Sequence, residues 1–347
     1  VVLNRRSRIL DIKRLRRGVK MLTSFKDKVV LVTGATGFLG GHVVERLLSR
    51  EAEVVGLVHD HHKVCYLNLE NINVSHTAQG DITDVGSIRR IIADYEVEYV
   101  FHLAADPIVR KCILDPVGCF ETNILGTAKV LEACRQVGTV KGVLCMESDK
   151  AYGSFDSEDL PYREDQALKP SNVYEVSKAC AGYVSKAYDS NYDLPTFTIR
   201  GANLYGPGDM NVSRIMPGSI LRVLKGERPV LYGGVGDYIR EFIYVYDAAE
   251  VCVQLMEQID KVRGLPINLG TGDVHRVSDV METLCSLMGT DLKPQIVEKA
   301  NEFKEIEEQK LDLTRLRSFI PDYSFLTIEQ GLRNTIDWYV RHFREGV

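Results

Sequence analysis

One stretch near the front of the chain limits the folds open to it: DKVVLVTGATGFLGGHVVERLLSR, Asp27 to Arg50. Val29 to Val32 is a short apolar run of the kind that forms a strand buried on both faces. Gly34, Gly37 and Gly40 follow at a spacing of three, and Val43, Val44, Leu47 and Leu48 then recur at helical spacing. Strand, glycine turn and helix open a parallel α/β unit. Glycine in such a turn lets the backbone approach a pyrophosphate, while the helix N-terminus offers free N–H groups and a positive dipole end. A tight turn with no ligand is the alternative. The position between a strand and an amphipathic helix favours a dinucleotide, with Thr36, Phe38 and Leu39 as further contacts.

The pattern repeats. EVVGLVH (53–59) is a second strand, followed by Asp60. An acid there would hold the ribose hydroxyls of NAD. However, Val58 stands where that acid often sits, and His59 and Lys63 could face the extra phosphate of NADP, so NAD is expected and NADP stays open. The histidines of HDHH (59–62) lack a further ligand at metal-site spacing, so a solvated loop is expected and no metal. In GDITD (80–84), Asp81 suits either the adenine amino group or a helix cap, with Ile82 beside it. VEYVFHLAA (97–105) ends in Leu103, Ala104 and Ala105, small enough at its end for a cofactor to lie close. VKGVLC then runs into MESDKAYG (146–153). Strands alternating with helices imply a Rossmann-like, doubly wound parallel sheet, whose ligands bind beyond the carboxyl ends of the strands.

That placement gives meaning to an acid, Asp149, next to a base, Lys150, at a strand end. A salt-bridged turn is one reading; a proton donor and acceptor facing a substrate is the other. Downstream, Tyr174 and Lys178 are four apart and share a helix face. A lysine ammonium near a tyrosine favours the phenolate, which could then take a proton from a sugar hydroxyl, with Ser148 hydrogen-bonded to the same oxygen. Alone this spacing says little, since Tyr183, Lys186 and Tyr188 lie in the same helix.

TGATGFLG, FHLAA, Ser148 with AYG, YEVSK and NLYGPG together resemble the extended short-chain dehydrogenases/reductases of the nucleotide-sugar epimerase/dehydratase group, from about Phe25 to the C-terminus. The resemblance implies a recycled nicotinamide cofactor and a nucleoside-diphosphate sugar as substrate. Ser148-Asp149-Lys150 is similar to the CDP-glucose 4,6-dehydratases, in which an acid–lysine pair removes water from a 4-keto sugar; the group's 4-epimerases usually have a small or apolar residue after the Ser or Thr. A 4-epimerase, and a non-catalytic dinucleotide-binding regulatory protein, are the competing readings. By resemblance, Asn203, Arg240 and Asn268 contact the substrate's diphosphate; for Arg240 an ion pair with Glu241 or Asp237 is the plain alternative. Glu147 departs from the group's usual Ser or Thr and sets a negative charge beside the site. The resemblance also implies a homodimer built on the YxxxK helix, with Cys180, Ala181 and Val184 allowing the contact.

Composition narrows the rest. The chain has 347 residues and a net charge of −5, so nucleic acid is not expected as a partner. No apolar run is long enough for a bilayer, so no membrane is expected. The eight scattered cysteines suggest reduced core thiols in a cytoplasmic protein. Residues 1–20 hold eight Lys or Arg and one Asp, a local charge of +7 that leaves −12 for the remainder. They read as an extension ahead of Met21, or else as a basic arm for an acidic partner. The expected domains are that extension, a cofactor domain over 21–200 rejoined by 237–267, and a sugar-nucleotide lobe over 201–236 and 268–347. The lobe's helix and short strand near 213–234 are expected to form a lid, and Trp338 and Phe343 to pack.

Overall fold

The computed structural model describes residues 24–59, 64–298 and 305–343. The basic extension at 1–20, the stretch 60–63 and hence the expected ribose contact Asp60 lie outside them.

Among the described residues, twelve strands run in chain order: β1 (Val29–Thr33), β2 (Glu53–Val58), β3 (His76–Gln79), β4 (Tyr99–His102), β5 (Gly142–Met146), β6 (Thr196–Gly201), β7 (Asn203–Tyr205), β8 (Val230–Tyr232), β9 (Ile239–Tyr244), β10 (Pro266–Leu269), β11 (Val274–Arg276) and β12 (Gln295–Val297). Seven form one sheet in the order β10-β6-β5-β4-β1-β2-β3, and every pairing in it is parallel. Alternate residues of a strand face opposite sides, and both sides here are covered. Val30, Val32 and Val54 enter one core, with the helices Phe38–Leu48 and Val245–Met256. Leu31, Val55 and Leu57 enter the other, with Val85–Asp94 and Thr127–Val137. The expected doubly wound sheet is therefore present. Strand order reverses between β1 and β4, which opens a crevice at their carboxyl ends.

The second lobe has a three-stranded sheet, β11-β9-β7, and the pair β12-β8. Its core holds Tyr205, Ile220, Phe242, Met281, Leu332 and Trp338, so Trp338 packs, as expected. The return to the first lobe differs from the expectation. Within 237–267 the helix Val245–Met256 packs there, against Phe38–Leu48, and Ile243 reaches the same core. The strand half, β9, stays with the second lobe. Two sheets compete for strands in this region, and β10 instead forms the edge of the main sheet, carrying Asn268 with it. All eight cysteines are free, and seven are buried. Among the described residues no helix is long and apolar enough to cross a membrane.

Candidate active site

The glycine turn has the close packing that a dinucleotide cradle needs. Gly34 sits at φ +70, where a Cβ would come 3.0 Å from the Ala104 nitrogen. A Cβ on Gly40 would stand 2.0 Å from the Gly34 carbonyl oxygen, so only glycine lets the helix start this near the strand. Gly37 caps the helix without a side-chain hydrogen bond, which leaves the N–H groups near Phe38 and Leu39 for a ligand. Thr33 Oγ1 accepts the backbone N–H of Leu103 and of Ala104, each at 3.1 Å, and so binds the end of β4 to the end of β1. Thr36, Ala104 and Ala105 are part-exposed at this mouth. Asp81 does not cap the next helix; Asp84 does, accepting from Ser87 N. Burial works to raise the Asp81 carboxyl, but Thr83 and His59 outweigh it and hold it below its usual value. Ile82 is spent in the core, close against Gly126. These residues fit a dinucleotide at the turn.

At the end of β5, Ser148 caps a short 3-10 turn, Asp149–Tyr152, accepting from Lys150 N. Its hydroxyl donates to Asp149 Oδ1 at 3.1 Å. Asp149 is 2% exposed, and its Oδ2 has no hydrogen-bond partner. Burial raises its carboxyl; Lys150, Ser148 and Arg240 pull the other way without cancelling that. Lys150 does not pair with Asp149: its Nζ lies 3.1 Å from Glu305 Oε1.

Tyr174 enters from the first turn of the Val173–Tyr192 helix, fixed by a capping box between Asn172 and Glu175. Burial pushes its phenol well up, the Ser148 hydrogen bond lowers it, and Asp149 raises it further. Lys178 shares that face, but its Nζ donates to the Met146 carbonyl at 2.9 Å. The phenolate support expected from Lys178 therefore does not come from direct contact. Burial lowers the Lys178 amine to about 8, against the pull of the Glu147 carboxylate. Glu147 is itself buried and paired with Arg200 at 3.1 Å.

Two of the expected diphosphate contacts need correction. Asn268 is fully buried, and its side chain takes the Tyr152 hydroxyl and donates to the Tyr162 and Asp312 carbonyls. It ties segments together and has nothing left for a phosphate. Arg240 donates to the carbonyls of Ile239, Ile306 and Glu307 and meets Glu305 at 3.6 Å. Neither alternative ion pair forms: Asp237 takes Arg276, and Glu241 takes the N–H groups of Gly272 and Leu311. Asn203 lies at the site's edge and donates to the Glu241 carbonyl at 3.2 Å.

The structure adds three residues that the sequence did not suggest. Asn123, in the π-helical turn Glu121–Gly126, bonds Asp106 beyond β4 and Ser177 on the Tyr174 helix. Arg214 pairs with Asp209 at 3.2 Å and lies near enough to Tyr174 to lower its phenol. Glu305 meets Lys150. A turn such as FETNILG is a weak signal for the first; nothing local marks the other two.

Over residues 30–270 the chain matches the NAD dependent epimerase/dehydratase family, and it belongs to that family. Its cofactor is thus NAD, which the glycine turn fits. It is 29% identical over 328 residues to an Arabidopsis thaliana trifunctional UDP-glucose 4,6-dehydratase/UDP-4-keto-6-deoxy-D-glucose 3,5-epimerase/UDP-4-keto-L-rhamnose-reductase, covering 92% of this chain and 48% of that one. The chain thus spans about half that relative's length. It is 30% identical over 345 residues to a dTDP-glucose 4,6-dehydratase of Shigella flexneri, covering 90% of this chain and 92% of the relative. Among solved structures, UDP-glucose 4-epimerase of Thermotoga maritima with UDP-glucose superposes with a TM-score of 0.81 at 27% identity, covering 90% of this chain and 99% of that one.

Proposed function

We propose that the chain is a nucleoside-diphosphate-sugar 4,6-dehydratase of the CDP-glucose type, which removes one water from a hexose to leave a 4-keto-6-deoxy sugar. Asp149 carries this reading. It is a buried carboxyl, raised by that burial, with one oxygen unpartnered, and it directly precedes Lys150. Elimination of a C6 hydroxyl needs an acid for the leaving group. Inversion at C4 does not. The similarity to named 4,6-dehydratases supports the reaction, and the Asp-Lys order, by resemblance, supports the cytidine nucleotide.

Tyr174 takes the C4 hydroxyl proton while Ser148 holds the same oxygen. Held at the glycine turn of Gly34, Gly37 and Gly40, NAD would supply the hydride acceptor for C4 and the hydride donor for C6. The C4 ketone acidifies C5, and the Lys150 amine, having lost its ammonium proton, takes the C5 proton. The freed electron pair forms the C5–C6 double bond as the C6–O bond breaks, and the Asp149 proton leaves with the hydroxyl as water. Lys150 then gives its proton back to C5.

The 4-epimerase reading is favoured by one observation, the Lys150–Glu305 ion pair, because a lysine so held can be structural. A purely regulatory protein would not need Ser148 beside the buried Tyr174, nor the buried Lys178. Incubation with CDP-, GDP-, UDP- and dTDP-hexoses and NAD, read by mass spectrometry, decides between them. Loss of one water from the CDP-hexose is expected. Loss from another nucleotide would keep the reaction and replace the base; an unchanged mass with inverted C4 would make the chain an epimerase.

We also propose a homodimer on the Tyr174 helix, where Cys180, one of the expected contacts, is part-exposed. Ala181 is buried and Val184 packs into the second core. On the same helix Tyr183 is exposed, and so are Leu114, Val117 and Leu125 on the segments packed against it. A second copy would cover this apolar face. Sedimentation should give a dimer for the native chain and a monomer for the Leu114→Glu/Tyr183→Glu variant. A native monomer would refute the assignment.

A further inference from the structure

We propose that Glu305 is a positioning residue for the dehydration: its carboxylate holds the Lys150 amine in place beside Asp149. The inference rests on the dehydratase reading. Lys150 and Glu305 are 155 residues apart in sequence, yet their side chains meet at 3.1 Å. The pair is largely shielded, with side-chain exposures of 16% and 28%.

The arm that brings Glu305 in is fixed. Ile239 of β9 donates to the Glu307 carbonyl and accepts from Gln309 N, which binds this segment to the strand. Arg240, next along β9, donates to the carbonyls of Ile306 and Glu307 and lies 3.6 Å from Glu305 Oε1. Burial would raise the Glu305 carboxyl, but Lys150 and Arg240 together hold it below its usual value, so it is an anion at neutral pH.

This arrangement divides the work of the two carboxyls. Lys150 has Asp149 beside it on its own turn and meets Glu305, whose same oxygen also faces Arg240 of β9. On the far side of Asp149 stand the Ser148 hydroxyl and the Tyr174 phenol. Glu305 supplies the counter-charge for Lys150, so Asp149 need not ionise to do so. It can keep the proton that a leaving hydroxyl requires. Glu305 takes up no atom of the substrate. Its effect is on where the amine sits.

The test is Glu305→Gln, of the same shape without the charge, together with Glu305→Asp. Water loss is followed at saturating sugar nucleotide, and C4 oxidation is followed separately through reduced nicotinamide. Water loss should fall about tenfold in Glu305→Gln, within the usual cost of a displaced catalytic group, and should recover in Glu305→Asp. C4 oxidation should stay within about twofold in both. NMR of the labelled Lys150 amine should show an altered chemical shift in Glu305→Gln without turnover. An equal fall in both steps, with the amine signal unmoved, would make Glu305 merely structural and leave the dehydratase standing. No water lost by the native enzyme from any hexose would remove the dehydratase reading and this inference with it.

Discussion

Asp149→Asn lowers the rate of water loss by about 10³-fold, the middle of the range for a general acid, while C4 oxidation persists and reduced nicotinamide accumulates. The reason lies in the two oxygens of Asp149. Oδ1 is hydrogen-bonded to Ser148, and Oδ2 is buried with no partner. An ionised carboxylate left so would carry an uncompensated charge, whereas a protonated one presents an O–H with nowhere to go but the substrate. Asparagine keeps the shape and the Ser148 contact but offers no acidic proton. Tyr174→Phe is the control, because it removes the group that starts the sequence and should stop oxidation and water loss together. Stopped-flow absorbance of the reduced nicotinamide separates the steps, with mass spectrometry for the product. Full water loss by Asp149→Asn would exclude it as the acid. Loss of both steps in that variant would mean that the residue holds the site's shape instead.

The parts of this site that were legible in the sequence are those in which chemistry is local. The glycine turn announces itself because strand, glycines and helix are contiguous and each has its own period. Ser148, Asp149 and Lys150 adjoin one another, and Tyr174 and Lys178 are one helical turn apart. Glu305 was invisible because the run EFKEIEEQK looks like a solvated face; only the clamp of β9 on that segment turns one of its acids inward. Asn268 and Arg240 fail for the converse reason. Resemblance placed both at the diphosphate, but Tyr152, Tyr162 and the 306–307 backbone arrive from elsewhere and use their hydrogen-bonding capacity. The same limit applies to β9, since an apolar strand period does not say which of two sheets will take it. It applies again to Ala181 and Val184, whose helix turns them into its own chain.

Arg200→Leu should destabilise the protein by about 3–5 kcal/mol, the usual consequence of removing one member of a buried ion pair. Glu147 at the end of β5 and Arg200 on neighbouring β6 have side chains only 1% and 8% exposed. Their contact is a single bond from Arg200 Nε to Glu147 Oε2 at 3.1 Å, and Glu147 Oε1 and Arg200 Nη1 are left without partners. Burial works against the Arg200 charge, but the Glu147 carboxylate and Tyr152, over whose ring the guanidinium lies at 4.8 Å, hold it above its ordinary value. The space is made for Glu147 by Gly182, where a Cβ would stand 2.2 Å from Glu147 Oε1. Without Arg200 the buried carboxylate loses its counter-charge and its one side-chain hydrogen bond. Replacing both partners, as in Glu147→Met/Arg200→Leu, should recover most of the loss, because an apolar pair of similar volume carries no desolvation cost. The recovered protein would still differ in one respect. The Glu147 charge opposes the burial that brings Lys178 to about 8, so its removal should let the amine lose its proton at lower pH. Urea denaturation measures the first effect and the high-pH limb of C4 oxidation the second. A loss under about 1 kcal/mol for Arg200→Leu, the scale of a solvated surface pair, would show that water reaches these two side chains and that Glu147 is not a buried charge beside the catalytic lysine.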